Sequence, residues 1–230
     1  MASIGWLFDP IRRAFKAIGG RLLGRRQLVS VRDTTADAGA AEMRALAGRA
    51  ARGEISADAF RAGMREAIRN VHGSQYILGR GGLDAMAASD VRTLGGLLRT
   101  QYGYLDGFVR DLGAGRLSDA QAEARAAMYA GHGVGSFERG VAAAWGLHGL
   151  LPEYPGERCL GLSACRCSWS FRETEQEIEC TWRTGGSDPC VVCQGNADRY
   201  RPYAVPKTAA RPDRTPVRLA AVDQRRKEMA

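Results

Sequence analysis

All six cysteines of this chain fall between positions 159 and 193, and that clustering restricts what the chain can fold into more than any other feature. The segment reads CLGLSACRCSWSFRETEQEIECTWRTGGSDPCVVC and continues through QGNADRYRPY to Tyr203. Within it, Cys167, Trp169 and Phe171 alternate with Ser168 and Ser170, and Ile178, Cys180 and Trp182 alternate likewise. This period of two predicts a small β-hairpin with one apolar face, turning at Glu173 to Gln176. A hairpin so short is unstable in water unless something else holds it.

The cysteine spacing offers that support. Cys190-Val-Val-Cys193 is a C-x-x-C knuckle, and Cys165-Arg-Cys167 brings two more thiols from a second loop. Four thiolates converging from two loops suit a tetrahedral structural zinc, with Zn–S about 2.3 Å. The metal would supply folding energy that the short apolar face lacks. Cys165, Cys167, Cys190 and Cys193 are therefore the expected ligands. Cys159 is an alternative to Cys165 or Cys167 in that shell, and Cys180, between Ile178 and Trp182, reads as a buried unligated thiol. Disulfides formed outside a reducing compartment, or free thiols, are the other readings that the spacing leaves open.

Upstream the period lengthens to that of helices. Residues 29–40 are polar and read as a linker, followed by a helix from Ala41 to about Ala51 that Gly53 ends. Ser56 is placed to cap a second helix with Phe60, Met64, Ile68 and Val71 along one face, and His72 follows at its end as a partly exposed imidazole. Residues 79–90 are glycine-rich without the spacing of a phosphate-binding loop, and read as a connection. Ser89 or Asp90 then caps a helix whose stripe runs through Leu94, Leu97, Leu98, Leu105, Phe108, Val109 and Leu112, with Tyr102 or Tyr104. Ser118 and Gln121 form a capping box for another helix, which Gly131, Gly133 and Gly135 break before a short one near Phe137 to Trp145. Such helices on short loops predict a small antiparallel bundle. Pro152, Pro155 and Gly156 close the helical region.

The charge is concentrated at the ends. Residues 1–30 carry six Lys/Arg against one acid and residues 201–230 carry eight against three, so each end contributes +5 and the middle −2 to the total of +8. Basic ends suit nucleic acid, an anionic membrane or an acidic partner, or simply keep the chain soluble. Residues 1–28 set Ile11, Phe15, Ile18 and Leu22 at helical spacing among Arg12, Arg13, Lys16 and Arg21, as in a basic amphipathic helix that lies on a membrane, docks into a partner's groove or packs on its own domain. No run reaches the roughly 20 apolar residues of a membrane span. Charges interrupt any signal-peptide core near the start, so the chain is expected to be intracellular at synthesis.

Two catalytic readings fail on the residues. Pro189-Cys190-x-x-Cys193 matches half of a zinc-deaminase signature, but none of His72, His132 and His148 is followed by the glutamate of H-x-E. A nucleophilic cysteine needs a partnered histidine, and the cysteine segment contains none. The chain reads as non-enzymatic.

The run PEYPGERCLGLSACRCSW, with Trp182 and then Cys190 and Cys193, resembles the cysteine-rich C-terminal motif of bacteriophage head-morphogenesis or minor capsid proteins. In that motif a CRC tripeptide pairs with a separate C-x-x-C. The usual order is reversed here, and Ala164 stands where a His-Pro-Asn lead-in is common. The stretch LGRGGLDAMAASDVRTLGGLLRTQYGYLDGFVRDLGAGRLSDAQAEARAAMY is similar to the helical region before that motif in phage structural proteins, and together the two cover roughly residues 57–203. The resemblance implies a low-copy virion protein, present in the host cytoplasm during assembly, that contacts portal or capsid proteins and packaged DNA. A zinc-stapled nucleic-acid-binding protein is the alternative, although Glu173, Glu175, Glu177 and Glu179 put acids where a DNA-facing hairpin needs Arg and Lys. The expected fold is mainly α: a basic N-terminal arm and linker (1–40), a small antiparallel helical bundle (41–150), a Cys-rich β-hairpin module with a zinc site (151–203) and a basic C-terminal tail (204–230).

Overall fold

The computed structural model describes residues 25–156, 158, 165–186 and 188–210. The amphipathic segment up to residue 24, Cys159 and the tail from residue 211 lie outside the described residues. The protein is mainly α, with helices α1 (Arg25–Ala51), α2 (Ala57–Arg80), α3 (Ala88–Gly113), α4 (Asp119–Gly131) and α5 (Gly133–Ala144) preceding a small sheet. The sheet comprises β1 (Ser168–Glu173), β2 (Glu177–Arg183) and β3 (Tyr203–Pro206), with a further helix α6 (Val191–Arg199) between its last two strands.

The Ser56 and Ser118 caps legible in the sequence are formed, whereas α3 is capped at Ala87, with Ser89 and Asp90 inside its first turn. Ser56 Oγ accepts from the Ala59 amide at 3.2 Å. Ser118 and Gln121 make both halves of a capping box, at 3.3 and 2.9 Å, which satisfies two helix-end donors that have no intrahelical partner. Asp90, in the first turn of α3, accepts from the Ala87 amide at 2.7 Å, from the Tyr76 hydroxyl at 2.8 Å and from Arg80 Nε at 3.0 Å. The same carboxylate thus starts α3 and ties it to the end of α2.

Two expectations are corrected. Residues 29–40 are not a linker but the first half of α1. The positions that α1 buries there are Arg32, Ala36 and Gly39, continuing at four- and three-residue intervals to Met43 and Ala47. The stripe is helical, but small residues and a charge make up its first part, so no apolar pattern advertises it. Likewise α2 continues beyond Val71 to Arg80, which places His72 inside the helix and 2% exposed instead of at a solvated end.

Helix α2 is the centre of the helical body, packing on α1, α3 and most extensively on α5. One core joins Met43, Phe60, Met64, Ile68, Leu105 and Phe108, with Phe60 and Phe108 edge-to-face at 5.3 Å. At the α2–α5 crossing the backbones themselves touch: a Cβ on Gly79 would run into the Phe137 carbonyl, and one on Gly140 into the Tyr76 carbonyl. Only glycine leaves room for this approach.

The sheet is antiparallel in the order β1-β2-β3, with Trp169 opposite Trp182 and Ile178 opposite Val205. The sequence pattern indicated two of these strands. The third carries the sheet past Tyr203, and its pairing with β2 leaves both flanks of the central strand hydrogen-bonded. Trp169 and Trp182 stand edge-to-face at 5.2 Å, with Tyr200 5.4 Å from Trp169. Their cluster extends through Tyr154, Leu151 and Leu147 to Ala142 of α5, so the sheet shares its core with the end of the helical body.

The glycine crossing yields a paired test. Gly140→Ala is expected to destabilise the fold by about 2–3 kcal/mol through overpacking. Gly103→Ala, on an exposed turn of α3 where a Cβ meets nothing within 4 Å, is expected to stabilise it by about 0.5–1 kcal/mol through helix propensity. Urea midpoints of the two variants against the parent measure both.

Candidate metal centre

The last residues before β1, the turn after β2 and the start of α6 meet at one point. Among the described residues, Cys165, Cys167 and Cys193 place their sulfurs all within 4.8 Å of one another, and the three residues are 2–3% exposed. A tetrahedral zinc shell with Zn–S of about 2.3 Å separates its sulfurs by ~3.8 Å, so the three lie at a spacing that a metal ion can bridge.

Local structure explains the convergence. Burial alternates over residues 165–169, with Cys165, Cys167 and Trp169 buried and Arg166 and Ser168 half-exposed between them, so the two thiols share the inner side. Cys193 enters from the first turn of α6. The Gly185 amide donates to Cys167 Sγ at 3.4 Å. Gly185 is pressed against the Arg166 backbone so closely that a Cβ would overlap it, and Gly186 follows at φ +83°. This pair of glycines lets the chain turn over the sulfur and present an N–H to it.

Of the four ligands expected from spacing, Cys165, Cys167 and Cys193 are brought together. Cys190 precedes α6 as its N-cap, half-buried, and its sulfur is not in the mutually close set. Cys180 stands apart, as its place in the hairpin indicated: it is fully buried, its Sγ lies 3.6 Å from the Ile178 carbonyl, and burial pushes its thiol up to about 11. Such a thiol stays protonated and apolar.

Sequence reasoning missed the groups that fix this site to the helical body. Arg32 and Glu138 are fully buried and face each other at 3.4 Å. The Glu138 carboxylate also accepts from the Trp169 amide at 2.9 Å, and Arg32 Nη1 donates to the Cys167 carbonyl at 3.4 Å. A lone Arg in a polar stretch and a lone Glu in a glycine-rich one carry no signal that they will pair across 106 residues.

The histidines lie elsewhere. His72 Nδ1 is 2.7 Å from Ser136 Oγ, but the two residues are 2% and 1% exposed, so this His–Ser contact is sealed between α2 and α5. Burial holds the His72 imidazole down to about 4 and lowers that of His132 as well. A cavity of about 440 Å³ opens between α3 and α4 beside Gln101, Tyr104, Arg125, Met128, Tyr129 and His132. Its cation is already engaged, since Arg125 meets Asp111 at 2.6 Å and lies over the Phe108 ring.

The fold and site define a mainly α protein with a cysteine-clustered β module seated on one end of its helical body. No family model, no curated protein and no solved structure matches the chain.

Two outcomes follow from these groups. His72 has a folded pKa near 4 against an unfolded value near 6.5, so between these values the unfolded chain binds the extra proton. Stability rises with pH across that window: the contribution of His72, about 3 kcal/mol at most, is present above pH 6.5 and lost by pH 4. The difference between urea midpoints at pH 7 and pH 4.5 should be smaller in His72→Gln than in the parent. For the metal site, native mass spectrometry of protein purified without chelator should find about one metal per chain. Cys167→Ser should abolish that binding and Cys180→Ala should retain it.

Proposed function

We propose that this chain is a non-enzymatic structural component of a phage virion, a head-morphogenesis or minor capsid protein whose β module is stapled by zinc. The observation that carries the reading is the buried cluster of Cys165, Cys167 and Cys193, since three thiols converging on one point at the root of a small sheet are what a structural metal requires. Soft sulfur ligands in a closed, buried site favour zinc over hard cations. Cys190, one turn ahead of Cys193, is the expected fourth ligand, and Cys159 is the alternative. Bound there, the ion supplies folding free energy to a module whose apolar face is small.

The resemblance of the CRC and C-x-x-C elements to phage head proteins supports the placement in a virion, with portal or capsid proteins as partners. The basic ends support contact with packaged DNA, and residues 1–28 support contact with a membrane. A zinc-stapled nucleic-acid-binding protein is the second reading, favoured by the same basic ends. Against it, the described hairpin presents acids: Glu179 is paired with Arg172 at 2.6 Å and Glu173 with Lys207 at 2.7 Å.

Two measurements separate these readings. Quantitative mass spectrometry of purified particles should find the protein at a few copies per particle, in the host cytoplasm only before assembly; absence from particles rejects the virion role. Fluorescence anisotropy with duplex DNA should show weak binding that falls steeply with salt. Sequence-selective binding that survives about 200 mM salt would establish the second reading instead.

A further inference from the structure

Two arginines beside the cysteine cluster, Arg166 and Arg32, tie it to the first half of α1. Arg166, between two of the clustered cysteines, extends Nη2 to Asp37 at 3.3 Å and Nε to within 3.7 Å of Asp33. Its Nη1 also returns to the Cys165 carbonyl at 3.2 Å. On the other side of the tripeptide, Arg32 Nη1 donates to the Cys167 carbonyl at 3.4 Å while its Nε holds Asp33 at 2.9 Å. Asp33 is therefore shared between the two arginines. Burial alternates along the tripeptide, with Cys165 and Cys167 buried and Arg166 half-exposed between them. With both thiols of Cys165-Arg166-Cys167 in the cluster, the side chain between them is the one that reaches α1.

The first half of α1 buries little apolar surface. Its buried positions before Met43 are Arg32, Ala36 and Gly39. Leu28 and Val31 are only partly buried, against Leu78, Phe137 and Val141. A helix with so small an apolar face derives its stability from tertiary contacts more than from its own propensity.

We propose that Arg166 is a positioning residue that couples metal capture by the cysteine cluster to docking of the first half of α1. Metal occupancy and the packing of residues 29–40 thereby stabilise each other, and by linkage the coupling is reciprocal. The proposal rests on the metal reading above. It assigns the central residue of the tripeptide a task separate from ligation. In sequence, α1 follows directly on the basic residues 1–24, so metal loading governs the anchor from which that arm begins.

The test uses the full chain with Zn²⁺ as probe, a chromophoric chelator to read affinity and hydrogen exchange to read α1. Chelation should speed exchange in peptides spanning residues 29–40 by about tenfold or more and leave residues 60–71 unchanged. Arg166→Gln should bind the same amount of zinc about tenfold more weakly and show fast α1 exchange even when loaded, and Arg166→Lys should recover most of both. Asp37→Asn, at a position where the carboxylate is largely exposed, should act in the same direction without threatening the fold. Arg172→Gln, which breaks an ion pair on the same sheet, should change neither readout. Parental zinc affinity in Arg166→Gln, or α1 exchange indifferent to zinc, overturns the coupling and leaves the metal site standing. Failure of the parent to bind zinc overturns both.

Discussion

The buried ion pair between Arg32 and Glu138 is the contact on which the arrangement of the two parts depends. Burying two charges costs several kcal/mol each unless their remaining hydrogen-bonding capacity is met. Here much of it is. Glu138 takes an N–H from Trp169, and Arg32 gives one to the Cys167 carbonyl and another to Asp33. The Gln75 side chain donates to the Arg32 carbonyl at 2.7 Å, and the guanidinium lies 5.5 Å from the centre of the Phe137 ring. An apolar pair of equal volume can hold as well in energy but does not select one docking geometry. This pair fixes α1, α5 and the start of β1 in a single register, because each charged group has partners on more than one element.

Around that point the two cores divide the work differently. The helical core is held by ordinary apolar burial and, at the α2–α5 crossing, by backbone contact through Gly79 and Gly140. The module has few aliphatic residues, and its interior is aromatic and sulfurous: Trp169, Trp182, Tyr200 and four buried cysteines. Large flat rings cover area with few residues, which is how a sheet of three short strands encloses a core. The cysteine cluster lies where this aromatic packing ends and the polar contacts to α1 begin.

The sequence made legible what depends on local pattern. The Ser56 and Ser118 caps, the apolar faces of α2 and α3, the strand alternation and the meeting of the Cys165-Arg-Cys167 thiols with the C-x-x-C knuckle are legible in spacing; that Cys193 and not Cys190 joins the close set is not. What it concealed depends on tertiary partners. The first half of α1 reads as a linker because Asp33, Thr34 and Thr35 are poor helix formers and its buried side is Arg-Ala-Gly. His72 reads as a helix-end residue because its partner, Ser136, sits in a glycine-rich stretch that resembles a break. Strand β3 is too short to signal itself, and Gly185 gives no sign that its amide will reach a sulfur. In each case the missing information is the identity of a residue far along the chain.

That distance has a consequence during synthesis. Arg32 is made 135 residues before Cys167, and at 5–20 residues per second the ribosome needs roughly 7–27 s to cover the gap. Throughout that interval the first half of α1 has emerged without the strand that completes its surroundings. The order of translation therefore makes the amino-terminal helix among the last parts of the described fold to settle, although it is the first to be made.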